Sequence, residues 1–544
     1  MGQGGSHRLF KGTRVRPVAG LLEHASVTAS GLVAAGHPAT ADAAATILEA
    51  GGNAFDAVIA GQFAACVVEP VLCSLGGGGF LLTRRGQGQV EALDFFVQTP
   101  LHKRSVQEIE FLPILADFGD AQQEFHIGLG SVATPGMVRG LYAAHRRYAS
   151  LPMPLLIEPA LRLAREGVEV NALQAYAFRI VGAIYSHTEA AREQYGSPSH
   201  PGSLVVEGDR LRQTQLADSL ERLAREGEDW FYEGEFAHLV AEMCRNEGGL
   251  LGLEDLRRYR AQVREPLALH YRENQIWLNP PPSSGGLLLG FALKLLESLE
   301  PVREGFGCHP HLERLARVME RTDRARLEAQ PDGDVSFDAR SFLDPRLLQR
   351  YRDEVAGRAA ALRGTTHLSV MDSAGNVASL TSSNGEGCGV LIPDTGIMLN
   401  NMLGEQDLNP LGFFRWREDQ RLTSMMAPTL LARPDGSEVV LGSGGSNRIR
   451  TAILQVLVNL LDFGLPLRDA VEASRIHLEE GRLSVEAGFS PEADLQPLLD
   501  QYPDHRVWTD RSLFFGGVHA VGCGPEGFSG AGDPRRGGVV RRAA

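Results

Sequence analysis

Gly364-Thr365-Thr366-His367-Leu368-Ser369-Val370 is the stretch from which the rest of the chain is read. Thr366, Leu368 and Val370 alternate with His367 and Ser369, the period of two of a strand with two different faces. Asp372-Ser373-Ala374-Gly375-Asn376 follows as a turn, and Val377 to Thr381 is a second β-prone run, so a hairpin is predicted. Thr365 therefore stands at the head of a strand, directly behind a glycine. Two successive threonines also suit any strand, because β-branched side chains fit a pleated surface. The pair alone does not separate a nucleophile from strand filler.

Strands are predicted downstream at Gly396 to Leu399, Thr429 to Ala432 and Val439 to Leu441. A helix from Ile449 to Phe463 follows the turn Gly442-Ser443-Gly444-Gly445-Ser446. Upstream, Thr40 is the expected N-cap of a helix through Ala50, stopped by Gly51-Gly52. Asn53 caps a second helix with Ala54, Val58, Ile59, Phe63 and Ala64 on its apolar face. The run Gly76-Gly77-Gly78-Gly79 precedes two expected strands, Phe80 to Leu82 and Val90 to Phe95, around Gly86-Gln87-Gly88. From about Pro135 to Ala360 the pattern is mostly helical, as at Pro159 to Glu166, Gln215 to Glu226 and Phe236 to Asn246. Strand-like pieces at Leu267 to Tyr271 and Gln275 to Leu278 lead into Pro280-Pro281-Pro282-Ser283-Ser284-Gly285-Gly286, with a helix expected after Leu287. Strands and helices in mixed runs predict a layered α+β arrangement.

The 544 residues are 43% hydrophobic and 22% charged, which fits a globular chain with a large core and excludes a disordered or fibrous one. Lys plus Arg number 53 against 67 Asp plus Glu, a net charge of −14, which argues against a nucleic-acid partner. Small anions remain suitable ligands, since a single arginine binds a carboxylate locally. Six cysteines are too sparse for a disulfide scaffold, and no CxxC or HExxH pairing points to a metal. No apolar run reaches the roughly 18–20 residues that span a bilayer. Arg8, Lys11, Arg14 and Arg16 are not followed by an apolar segment, so the expected location is the cytoplasm.

With its neighbours, the Thr365 stretch resembles the gamma-glutamyltranspeptidase family of N-terminal-nucleophile hydrolases. The matching landmarks run in order from about His37 to Arg535. They include Gly51-Gly52-Asn53-Ala54, Glu69-Pro70, the tetraglycine, Ala92-Leu93-Asp94-Phe95, Thr134-Pro135-Gly136 and the proline-rich run at 280–286. They continue with Asn400-Asn401, Ser424-Met425-Met426-Ala427-Pro428, Gly442 to Ser446 and Asp533-Pro534-Arg535. The resemblance implies a four-layer αββα sandwich and a precursor that cuts itself at Gly364–Thr365. The pieces would be residues 1–364 and 365–544, interleaved as one structural unit and associated with each other. It implies no cofactor and no metal, a small amide substrate, and water or an amine as acceptor; a homo-oligomer is compatible with it.

A threonine hydroxyl needs a base beside it. Once Thr365 is a chain terminus its own α-amine serves, since such amines titrate near 7.7–8.0 in model peptides, at roughly cellular pH. The resemblance assigns the oxyanion donors to the backbone of Gly444 and Gly445 and nearby hydroxyls to Thr381 and Ser383, the latter where a Thr is usual. Asn384 matches a substrate-contacting Asn. The departures lie in the amino-acid clamp. Phe96 stands where the family has the arginine of Leu-Asp-Phe-Arg, Asn401 is followed by Met402, and the usual Ser-Ser pair reads Ser424-Met425. Glu405 can replace the family's amine-binding Asp. Phe96, Met402 and Met425 make the substrate pocket more apolar, and Arg415, Arg417 or Arg421 are candidates to replace the lost arginine. The segment from Glu405 to Ser424 is short, which predicts an open acyl site rimmed by Asn409 to Phe414.

Three functions are compatible with this sequence. The first is a threonine hydrolase or transferase for γ-glutamyl amides such as glutathione. The second is an acylase with the same nucleophile for glutaryl or cephalosporin-type acyl groups. The third is an uncleaved, non-catalytic binding protein, against which the survival of Thr365, Thr381, Gly444 and Gly445 argues.

Overall fold

The predicted hairpin forms: Thr366–Asp372 runs antiparallel to Val377–Ser383, with His367 opposite Thr381 and Thr366 opposite Ser382. Its turn is tied by the Asp372 carboxylate, which accepts from the backbone of Ala374 at 2.9 Å and of Asn376 at 3.0 Å. The structure is a computed structural model that describes residues 31–117, 122–328, 364–409, 412–490 and 493–544. The basic N-terminal stretch, the end of the helical middle and the central part of the predicted rim lie outside those residues.

In chain order the strands of the two large sheets are β1 (Gly31–Ala35), β2 (Gly78–Arg84), β3 (Val90–Phe95), β4 (Gln262–Arg264), β5 (Leu267–Tyr271) and β6 (Asn274–Leu278). After Gly364 come β7 (Thr366–Asp372), β8 (Val377–Ser383), β9 (Thr429–Ala432), β10 (Glu438–Gly444), β11 (Gly517–Gly524), β12 (Gly527–Gly532) and β13 (Val539–Ala543). The first sheet has seven strands in the order β13-β1-β7-β8-β2-β3-β4, and the second has six in the order β12-β11-β10-β9-β6-β5. Strands from before and after Gly364 share both sheets, so neither part of the chain completes a sheet alone.

The alternation along β7 sorts its side chains between layers. Leu368 and Val370 face a cluster with the outer helices α1 (Pro38–Glu49) and α2 (Ala54–Val68). Met371 joins Leu32, Leu82, Leu430, Val440 and Val521 between the sheets. The sheets are also stitched by polar contacts: Ser369 donates to the His519 carbonyl at 3.1 Å, and Ser379 to that of Leu441 at 3.1 Å. On the far side, α3 (Ser284–Glu297), α4 (His309–Glu328) and α5 (Arg448–Leu461) pack on the second sheet through Leu278, Leu431, Leu441 and Ala520. Helices, sheet, sheet, helices: the architecture is the four-layer αββα sandwich.

Every residue of α2 is buried, and its cap is the predicted Asn53, joined by Asp56 in a reciprocal capping box. Each large apolar side chain it buries is worth about 1.5–3 kcal/mol. Three helix starts differ from the sequence expectation by more than one residue. The cap of α1 is His37, whose ring nitrogen accepts from the Ala39 amide, because the Thr40 hydroxyl goes to Glu69 at 2.8 Å. Helix α3 begins at Ser284 because the amides of Ser284 and Gly285 both find the Ser424 carbonyl, at 2.9 and 3.0 Å. The predicted helix at Pro159 to Glu166 begins earlier, at Met153.

Candidate active site

Thr365 lies at the mouth of β7, and its surroundings converge on the peptide bond that joins it to Gly364. The carbonyl oxygen of Gly364 accepts from Thr365 Oγ1 at 2.8 Å and from Ser383 Oγ at 2.7 Å. The hairpin register brings Ser383 there, and the Gly385 amide, donating to Ser383 Oγ at 2.9 Å, fixes the hydroxyl so that its hydrogen points at the carbonyl. The Gly364 amide donates to Glu386 Oε1 at 2.6 Å. On the other side, Arg536 Nη1 reaches the Thr365 carbonyl at 3.4 Å. A Cβ on Gly364 would come within 2.9 Å of the carbonyls of Gly385 and Val71, so only glycine fits at that position.

Arg536 is delivered by the turn Pro534–Arg536, capped by Asp533, whose carboxylate accepts from the Arg535 amide at 3.0 Å. Arg535 is locked by Glu486 at 2.6 Å and Asp533 at 3.1 Å, which leaves the next side chain free to run to Thr365. Burial holds the Arg536 guanidinium down at about 10, against the pull of Glu386, Asp533 and Glu69. Glu69 is buried and pushed upward by desolvation, although Thr366 donates to it at 2.7 Å and Thr40 at 2.8 Å. Beneath the hairpin, His367 joins Thr381 Oγ1 at 2.8 Å and Ser369 Oγ at 2.9 Å, and burial keeps its ring neutral.

The glycine pair sits at the end of β10, where that strand meets Thr365 from the second sheet. A Cβ on Gly444 would lie 2.1 Å from the Thr365 carbonyl oxygen, and Gly445 has φ +122°. Both facts require glycine. The chain then turns into α5, whose first amides close back on Gly445 and Ser446.

A cleft of about 580 Å³ opens over Thr365. Of the residues singled out in the sequence, Thr365, Ser383, Glu405, Ser424, Phe96, Met402 and Met425 line it. Thr381, Asn384, Gly444 and Gly445 do not. Thr381 lies below, bonded to His367. Asn384 Nδ2 points to the Pro70 carbonyl at 3.4 Å. Gly444 backs the Thr365 main chain, and Gly445 lies against Gly516 and Arg536.

None of Arg415, Arg417 and Arg421 lines the cleft. Arg421 is spent under its wall: it donates to the carbonyls of Phe96 and Arg260, lies 3.2 Å from Asp94 and covers the Tyr259 ring. Among the described residues, the arginine in the cleft is Arg326 of α4, which comes from before the Gly364–Thr365 bond. Asn447, with its Oδ1 lacking a protein partner among the described residues, lines it too. Sequence reading missed Arg326, Asn447, Glu386 and Arg536. Arg536 and Asn447 carried a signal, as neighbours of the landmarks Asp533-Pro534-Arg535 and Gly442 to Ser446.

A second cavity, of about 780 Å³, lies on the opposite side of Gly364 and does not include Thr365. Glu69, Glu386, Arg536 and His37 supply its polar wall. Among the described residues no cluster of three His, Cys, Asp or Glu side chains is placed to hold a metal, and no helix is long and apolar enough to cross a membrane.

Comparison with known proteins adds three relatives to this geometry. The family model described as gamma-glutamyltranspeptidase matches residues 40–543. The glutathione hydrolase proenzyme of Escherichia coli (strain K12) is 32% identical, with 92% of this chain and 90% of that protein covered. The acylase ACY 1 proenzyme of Pseudomonas sp. (strain SE83) is 31% identical over 91% of this chain and 90% of its own. Among solved structures, cephalosporin acylase from Bacillus halodurans superposes with a TM-score of 0.80 at 25% identity, covering 98% of each chain.

Proposed function

The chain belongs to the gamma-glutamyltranspeptidase family and is a gamma-glutamyltranspeptidase-like enzyme, and from that premise we propose that it cuts itself at Gly364–Thr365 and uses Thr365 as an N-terminal nucleophile on γ-glutamyl amides such as glutathione. The observation that carries this reading is the paired approach of Thr365 Oγ1 and Ser383 Oγ to one carbonyl oxygen, that of Gly364. The names of the two relatives as proenzymes support it.

In the first reaction Thr365 Oγ1 attacks the Gly364 carbonyl carbon, and Ser383 donates to the oxygen as negative charge develops there. The C–N bond breaks, and the hydroxyl proton ends on the departing Thr365 nitrogen. Water then hydrolyses the ester, leaving a carboxylate on Gly364 and a free amine on Thr365. In the second reaction that amine takes the proton from Oγ1 as the hydroxyl attacks the substrate amide. Nucleophile and base belong to one residue, so little positioning entropy remains to be lost. The backbone of Gly444 and Gly445 supports the oxyanion, and Glu405 and Asn447 offer acceptors to a substrate ammonium. Water or an amine then releases the acyl group. Both pieces contribute strands to each sheet and so remain associated after the cut.

Intact-mass measurement tests the proposal. The expected result is two polypeptides, the second beginning at Thr365, and a single uncut, inactive chain for Thr365→Ala. A processed and active Thr365→Ala protein refutes it.

A second reading, an acylase for glutaryl or cephalosporin-type amides, is favoured by one observation: Phe96, Met402 and Met425 line the cleft. The structural likeness to cephalosporin acylase supports it as well. Initial rates on a γ-glutamyl and a glutaryl anilide decide between the two.

A further inference from the structure

We propose that Arg326 is the carboxylate anchor of the cleft, so that the donors the enzyme takes are amides whose acyl chain ends in a carboxylate. The proposal rests on reading the cleft over Thr365 as the acyl site. Phe96 leaves the expected carboxylate-binding position apolar, and Arg421 is held beneath that wall by Asp94 and by two backbone carbonyls. Arg326 enters the same cavity from α4 with its side chain only 17% exposed.

Its nearest carboxylate, Glu479, is 3.9 Å away, beyond hydrogen-bond reach. Glu479 already serves His477 at 3.3 Å and Arg450 at 3.5 Å, and Asp323 is taken by Arg450 as well. A guanidinium presents five N–H donors in a planar fork that fits a carboxylate bidentately. Largely withdrawn from water, Arg326 makes no direct hydrogen bond to Glu479, which Arg450 approaches more closely, and its guanidinium fork is open to a further carboxylate. A carboxylate arriving along the cleft occupies that fork, and the apolar side chains of Phe96, Met402 and Met425 strengthen that pairing by excluding water. The acyl carbonyl at Thr365 and the terminal carboxylate at Arg326 then define the two ends of the bound acyl group. The α-amino group of a γ-glutamyl donor is an addition to this grip, which a glutaryl donor lacks.

The test compares glutaryl-p-nitroanilide with pentanoyl-p-nitroanilide, which has the same chain length without the carboxylate. Intact mass and thermal melting confirm that each variant is processed and folded. For Arg326→Gln the kcat/KM ratio of the glutaryl over the pentanoyl donor should fall by about tenfold or more, the effect of losing a charge-assisted contact. The loss should lie mainly in KM, and Arg326→Lys should recover part of it. An unchanged ratio, or an equal loss on both donors, overturns the proposal. Should the wild type turn over neither donor, calorimetry with glutarate decides the anchor, while turnover of a γ-glutamyl anilide separately decides the enzymatic reading. Binding that Arg326→Gln weakens by about tenfold supports it; equal or absent binding to the wild type overturns it.

Discussion

Ser383 donates its hydroxyl to the carbonyl oxygen of Gly364 at 2.7 Å, the oxygen that Thr365 Oγ1 also contacts. A donor already aimed at the oxygen on which charge develops needs no rearrangement during reaction, and removing one such donor costs about 10²–10³ in rate. Ser383→Ala is therefore expected to slow the cut at Gly364–Thr365 by that order, while Ser383→Thr, which keeps the hydroxyl, stays close to wild type. A mass-spectrometric time course of freshly folded precursor reads the rate. Cutting of Ser383→Ala at the wild-type rate would show that the hydroxyl has no part in it.

Glu386 holds the other end of the same residue, accepting from the Gly364 amide at 2.6 Å. Leaving that buried N–H without an acceptor costs about 1–3 kcal/mol. Glu386→Ala should accumulate uncut chain, and Glu386→Gln, which retains a carbonyl acceptor but loses the charge beside Arg536, should fall between it and wild type. Equal processing of all three proteins on denaturing electrophoresis would remove Glu386 from the grip on the peptide bond.

Arg421 is expected to act on stability and on the cleft wall. It is 4% exposed, pairs with an Asp94 that is 1% exposed, and supports the main chain of Phe96. Breaking a buried ion pair costs about 3–5 kcal/mol, and the lower end applies because Asp94 keeps Arg264 at 2.7 Å. Arg421→Ala should lower the midpoint of urea unfolding accordingly. An unchanged midpoint would mean that the pair contributes nothing net.

The legible parts of this molecule are those whose causes are local. The alternation from Thr366 to Val370 gave the hairpin, because opposite faces of β7 meet different layers. Asn53 announced α2 because its capping partner is only three residues away. The start of α1 was misread at Thr40 because the competing partner, Glu69, is 29 residues distant. The start of α3 depends on Ser424, some 140 residues on. The site divides in the same way. Thr365 and Ser383, singled out by the family resemblance, are near in sequence, and one hairpin brings them to the same carbonyl oxygen. Arg326 was hidden in a charged helix, where arginine is ordinary on a solvated face, and only the packing of α4 against the second sheet brings it to the cleft. Arg421 looked as eligible as any arginine near the motif until its contacts with Asp94 and Phe96 were seen.

The buried histidines make the last expectation one about acid. Burial pulls His519 and His311 down to about 4 and His367 well below its usual value. In the unfolded chain each titrates near 6.5, so between roughly 6.5 and 4 the unfolded state binds protons that the folded state refuses. Their contribution to stability is complete above about 6.5 and declines as pH falls, by up to about 1.4 kcal/mol per pH unit and histidine. Glu69, Asp255, Glu320 and Asp323, held above their ordinary values, act with the opposite sign, but His37, His126 and His477 are lowered as well and join the acid-sensitive side. Thermal midpoints should therefore fall between pH 7 and pH 4. His311→Gln isolates one contribution at a distance from Thr365: its ring accepts from the Gly307 amide at 3.1 Å, a bond the glutamine carbonyl can replace. That variant should lose less stability than the wild type over the same pH range. A pH slope identical in both proteins would assign the acid sensitivity elsewhere.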